Sequence, residues 1–176
     1  NDDFIRTSSD LHKRGAQKLW KAIAANDGFY KGIYEGLYCV GCEAYIAEKA
    51  LVIGNCPNHK KPPEFFKEEN YFFRYSKYLP LVKQAIEEGR LTILPDFRKT
   101  EMLNLIEEGI AEKRDVSFSR PSKTLAWGVP VPGDPKQTMY VWCDALSNYI
   151  TALDYENDRE LFQKFWPADV HLIGKD

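Results

Sequence analysis

The sequence has no long apolar run. Nothing in its 176 residues approaches the roughly 20 consecutive apolar residues of a membrane-spanning helix, and no basic stretch followed by an apolar segment opens the chain. It also has no excess charge of one sign: 24 Lys and Arg stand against 26 Asp and Glu, a formal net charge of −2. That leaves no global field to draw the molecule onto DNA or an anionic membrane, so neither is expected as a partner and any RNA contact has to be local. Cysteine is scarce as well. Four in a chain of this length are too few for a disulfide-held scaffold, and a reducing, cytoplasmic compartment is expected. No internal repeat is visible.

Hydrophobic residues make up 44% of the chain and aromatics 14%, enough for one full core or for one domain with a small insertion. The chain does not begin with Met, and it stops at Gly174-Lys175-Asp176 straight after the apolar run Val170 to Ile173, where a strand would turn into its next helix. A piece of a longer protein is therefore expected.

Along the chain, Ser8, Ser9 and Asp10 offer helix caps, and Ala16, Leu19, Trp20 and Ile23 follow at amphipathic spacing until Asn26-Asp27-Gly28 closes the segment. From Tyr30 to about Lys61 the texture changes to short pieces punctuated by glycine, with no helical period and little apolar material for a core of their own. Asn70 to Arg74 reads as a strand or a buried aromatic anchor, and Ser76 to Glu88 and Thr100 to Glu108 as helices ended by Gly89 and Gly109. Pro121, Pro130, Pro132 and Pro135 punctuate a loop-rich connection around Trp127. Met139 to Trp142 reads as a strand, with Asp144 capping a helix that carries Leu146, Tyr149, Ile150 and Leu153. Asp158 to Phe165 reads as a further helix and Asp169 to Ile173 as a further strand, so the tail alternates in the manner of a parallel α/β sheet.

The strongest chemical signal is a pair of chelating turns, Cys39-Val40-Gly41-Cys42 and Cys56-Pro57-Asn58-His59. Three thiolates and an imidazole make a tetrahedral set that suits zinc, and four protein ligands leave no open position for a water nucleophile. One structural Zn2+ per chain, held by Cys39, Cys42, Cys56 and His59, is expected. Ligation can supply on the order of 10–16 kcal/mol to a segment poor in core. The bland alternative is unligated thiols or a redox pair with an incidental histidine, and the redox version lacks a βαβ setting around Cys39.

In doubly wound sheets ligands bind outside the carboxyl ends of strands, which singles out Trp142 to Tyr149 and Gly174 to Asp176. Trp142 and Tyr149 would suit a flat ligand or a thioether, or else serve as plain core. Asp176 could accept from a ribose hydroxyl pair or cap a helix. Arg120, restrained between Ser119 and Pro121, could hold an anion or a carboxylate. His171, with no carboxylate or nucleophile beside it in sequence, is assigned no role, and Lys60 and Lys61 are too few to mark an RNA surface.

The succession Tyr34 to Cys42, Cys56 to His59, Asn70 to Arg74, Trp127 to Pro132, Tyr140 to Trp142 and His171 to Asp176 resembles the methionyl-tRNA synthetases, nearly end to end and in the right order. The resemblance implies a class I Rossmann-type parallel sheet domain interrupted by a small zinc-knuckle insertion: residues 1–29 end its first half, 30–117 form the connective insertion, and 118–176 begin the second half. It implies methionine, ATP with Mg2+, and tRNA(Met) as partners of the full-length enzyme, which activates methionine and passes it to the tRNA. It likens Trp142, Ala145, Leu146 and Tyr149 to the methionine pocket, Arg120 to a catalytic arginine, and Gly174 with Asp176 to the adenosine contact. The family's two ATP signature loops do not occur in these residues, so the isolated chain is expected not to activate methionine. Cys143 stands where a larger apolar residue is usual, and Leu146 where some members carry Pro. A rival reading, a zinc-ribbon module that binds nucleic acid or protein, predicts a basic face, which the net charge of −2 does not supply.

Overall fold

The protein is described by a computed structural model covering residues 3–42, 44–157 and 159–174. In chain order the elements are α1 (Asp10–Ala25), β1 (Phe29–Cys39), β2 (Ala44–Ile46), a short 3-10 turn (Glu48–Ala50), β3 (Glu64–Phe73), α2 (Tyr75–Glu87), α3 (Asp96–Ala111), β4 (Val116–Ser117), β5 (Ser119–Pro121), β6 (Pro130–Val131), β7 (Asp134–Met139), α4 (Val141–Leu146), α5 (Asn148–Thr151) and α6 (Arg159–Phe165). The chain forms two compact units, one made of the residues up to Gly28 with those from Ser122 onward, the other of Phe29–Pro121.

In the first unit, α1 starts where Ser9 accepts the His12 backbone N–H, an N-cap that satisfies one of the orphan donors of a helix start. Its apolar face buries Ala16 and Trp20. Helix α1 packs on α4 and α5, and Gly15 permits the approach: a Cβ there would stand 2.5 Å from the Thr151 methyl. Lys18 donates to the carbonyls of Tyr155 and Glu156, tying down the stretch after α5. Strands β6 and β7 form an antiparallel pair.

The second unit is built on a four-stranded sheet in the order β2-β1-β3-β4, antiparallel throughout. Strands β1 and β3 pair from Phe29↔Phe73 to Tyr38↔Glu64. The first part of the stretch expected as short pieces, up to Cys39, is thus an 11-residue strand, and short pieces and turns follow it as expected. Its glycines are covered by rings: a Cβ at Gly32 would meet Phe72 at 3.2 Å, and one at Gly36 would meet Tyr45 at 3.4 Å. Aromatic neighbours supply the packing the glycines lack. Helices α2 and α3 close over Leu79, Ile86 and Ile106, each worth about 1.5–3 kcal/mol when fully buried.

Three expectations need correction. Met139 to Trp142 is not a strand: β7 ends at Met139, Tyr140 is the extended N-cap, and α4 starts at Val141. A short apolar run cannot distinguish helix from strand by period, and here Val141 and Trp142 are exposed rather than inserted in a sheet. Asp144 caps no helix; it lies within α4. Residues 169–173, expected as a strand, form none here, and the ladders named above are antiparallel. Val170 and Leu172 stand 81% and 89% exposed, because a parallel strand exists only where neighbouring strands flank it. The architecture shown is mixed α/β with antiparallel sheets. Among the described residues no helix is long and apolar enough to cross a membrane.

Candidate functional site

Strand β1 delivers Cys39 at its last residue, and the turn through Gly41 brings Cys42 back beside it. The second chelating turn follows the Val52↔Asn55 bridge, where Ile53 and Gly54 take positive φ. It closes with Lys60 N–H donating to the Cys56 carbonyl and Cys56 N–H to that of Lys61. The three sulfurs and one imidazole nitrogen all lie within 4.8 Å of one another. His59 Nδ1 is 3.1 Å from Cys42 Sγ and 3.7 Å from Cys39 Sγ, and the Cys42 and Cys56 sulfurs are 3.6 Å apart. Ligands of one tetrahedral zinc stand about 3.8 Å apart, given the usual Zn–S bond. All four cysteines are free thiols. Backbone N–H groups, that of His59 foremost, lower the Cys56 thiol to about 6, while the hydrogen bond with Cys56 and burial raise Cys42. Asn58 Nδ2 donates to Cys42 Sγ, a supporting bond typical of a metal-ligating sulfur. This grouping can hold a metal ion.

Arg120, on β5, is half-buried. Its Nη1 donates to Ser117 Oγ and the Ser119 carbonyl, both at 2.9 Å, and its Nε lies 3.7 Å from Glu68 Oε1. The same oxygen accepts from Asn70 Nδ2 at 2.8 Å and from the Tyr45 hydroxyl at 3.3 Å. Burial, then the Glu68 charge, pushes the Tyr45 phenol up. The arginine is thereby braced against Glu68 of β3 and the Ser117–Ser119 stretch.

Trp142, Ala145, Leu146 and Tyr149 recur at helical spacing along α4 and α5. Trp142 and Leu146 are exposed and Ala145 and Tyr149 half-buried, while Cys143, Ser147 and Thr151 form the buried stripe of the same elements. Burial holds the Cys143 thiol protonated, raising it to about 12. Gly174 lies in open chain, where a Cβ built on it would meet nothing within 4 Å, and Asp176 falls outside the described residues.

Two residues gained no role from the sequence. The His171 ring meets Tyr149 edge-on with centroids 4.1 Å apart. His12 is fully buried between Asp144 and Thr151, its Nε2 at 2.6 Å from Asp144 Oδ1 and Nδ1 at 2.8 Å from Thr151 Oγ1. A signal for it existed: His12 precedes Ala16 and Trp20 by four and eight residues, on the apolar face of α1.

The profile of the tRNA synthetases of class I (M) matches residues 1–62 and 58–176, the whole chain. The chain belongs to that family. Among its relatives, a methionine–tRNA ligase of Clostridium perfringens is 51% identical over 99% of this chain, and one of Thermotoga maritima 44% identical over 100% of this chain. The chain spans 27% and 28% of those two relatives. A Mycobacterium tuberculosis methionyl-tRNA synthetase bound by methionyl-adenylate superposes with a TM-score of 0.81 at 35% identity, over 96% of this chain and 33% of that one. The resemblance of this class I (M) chain is thus to one continuous region of longer synthetases.

Proposed function

We propose that this chain is part of a cytoplasmic methionine–tRNA ligase, in which methionine is joined to ATP with release of pyrophosphate and the methionyl group is then passed to the terminal adenosine of tRNA(Met). The observation that carries this reading is the likeness at TM-score 0.81 to a synthetase bound by methionyl-adenylate. The whole-chain identity to methionine–tRNA ligases supports it.

In this reading Trp142, Ala145, Leu146 and Tyr149 bind the methionine side chain. Their shared face offers the apolar and aromatic surface a thioether favours. Arg120, braced by Ser117, Ser119 and Glu68, supplies a fixed cation toward the anionic reactants. Gly174 and Asp176 take the adenosine, and Mg2+ accompanies ATP. Residues 30–117 are the connective insertion, set between the two catalytic portions 1–29 and 118–176. The exposed run Val170 to Ile173 becomes a strand of a parallel Rossmann sheet completed by the longer protein, which would bury side chains now in solvent.

Cys39, Cys42, Cys56 and His59 hold one zinc. With all four positions filled by protein it does no chemistry on substrate and instead fixes the two turns of the insertion. Full-length protein should exchange pyrophosphate into ATP in the presence of methionine and not of leucine or valine. Absence of methionine-dependent exchange would overturn the assignment.

A further inference from the structure

We infer that His12 is a positioning residue for the amino-acid side of the site, gripping Asp144 and Thr151 so that the segment between them presents its ligand-facing side chains at a fixed angle. The inference rests on the methionine pocket proposed above and adds a residue from a separate helix.

His12 is 0% exposed, so neither of its ring nitrogens can turn to water for a partner. A carboxylate only accepts, hence Nε2–H donates to Asp144 Oδ1. Nδ1 meets the Thr151 hydroxyl at 2.8 Å, the second hold of the same ring. Asp144 and Thr151 are seven residues apart, two helical turns, on the side of α4 and α5 that turns toward α1. One rigid imidazole therefore ties both ends of the segment carrying Ala145, Leu146 and Tyr149.

The segment needs such a tie. Helices α4 and α5 are only 6 and 4 residues long and break at Ser147, too short to hold their own geometry. Trp142 and Leu146 are exposed and Ala145 and Tyr149 only half-buried, so core packing positions these side chains weakly. Gly15, one turn along α1, lets Thr151 approach closely and keeps the His12 bonds short.

The test uses the full-length enzyme and methionine-dependent pyrophosphate exchange, measured as separate KM values for methionine and ATP alongside thermal melting. His12→Phe keeps the ring volume and loses both bonds. It should raise the methionine KM about tenfold, the usual weight of a hydrogen bond to a charged group, and move the ATP KM less than about twofold. His12→Gln, which can still donate toward Asp144, should recover most of the loss. A lowered melting temperature with both KM values unchanged, or both raised alike, would overturn the inference. If His12→Phe does not fold, Thr151→Val removes only the hydroxyl and keeps the methyl against Gly15. It should raise the methionine KM about threefold, and an unchanged value overturns the inference. Failure of the unsubstituted enzyme to use methionine at all is read before any variant and overturns the function together with this role.

Discussion

Gly41 lies flat against the imidazole of His59: a Cβ built on it would stand 2.5 Å from Cδ2 and 2.7 Å from Cγ. The ring cannot retreat without taking Nδ1 away from the sulfurs of Cys39 and Cys42. Glycine is required here for close approach rather than for an unusual φ. Gly41→Ala should therefore weaken zinc binding by roughly 10–100-fold, the range seen when the surroundings of a ligand are disturbed. Competition against a chromophoric chelator measures it, and undiminished affinity would show that the ring can shift freely.

Purified protein should contain one zinc per chain by elemental analysis. A strong chelator or Cys56→Ser should remove it and lower the melting temperature, because the strands and turns around the knuckle bury few aliphatic side chains and depend on ligation for their order. Metal-free protein that melts identically under all conditions would exclude the structural site.

The buried Cys143 thiol is raised from 9.0 to about 12. Burial disfavours the thiolate, so in the folded state it stays protonated where an unfolded thiol would ionise. At pH 8 native protein should leave this cysteine unalkylated by iodoacetamide, while unfolded protein reacts, as peptide mapping would show. Linkage has the matching sign: the contribution to stability is intact below pH 9 and is lost progressively as pH rises from 9.0 to about 12.

Gly15→Ala should destabilise the protein, against the helix-propensity rule that favours Ala by about 1 kcal/mol in a helix interior. The new methyl would collide with Thr151 Cγ2 at 2.5 Å and Cβ at 3.0 Å, forcing α1 away from α5. A loss of about 1–3 kcal/mol by denaturant unfolding is expected, as for overpacking elsewhere.

The metal grouping was legible in the chain because its ligands lie close in sequence. Each pair sits within one turn, so spacing and residue type carry the geometry with little help from the rest of the fold. Helix α1 was legible for a similar reason, with Ser9, Asp10 and the stripe through Ala16 and Trp20 all local signals. The helices α2 and α3 were readable as well, though α3 begins earlier than expected, at Asp96 after Pro95, and runs through Gly109, expected to end it, to Ala111.

Elsewhere local pattern was not enough. Gly32 and Gly36 look like breakers until Phe72 and Tyr45 cover them from neighbouring strands. Val141 and Trp142 look like a strand until Tyr140 turns the chain into α4.

The sequence by itself determined the Cys39, Cys42, Cys56 and His59 grouping, the first helix and the family. Only the tertiary structure decided what His12, Asp144 and Arg120 touch. His12 meets Asp144 and Thr151 across 132 and 139 residues, and Glu68 reaches Arg120 from another strand. Such partners are chosen by burial, where a polar group must find whichever complementary atom the packed elements bring to it, and no local spacing encodes that meeting.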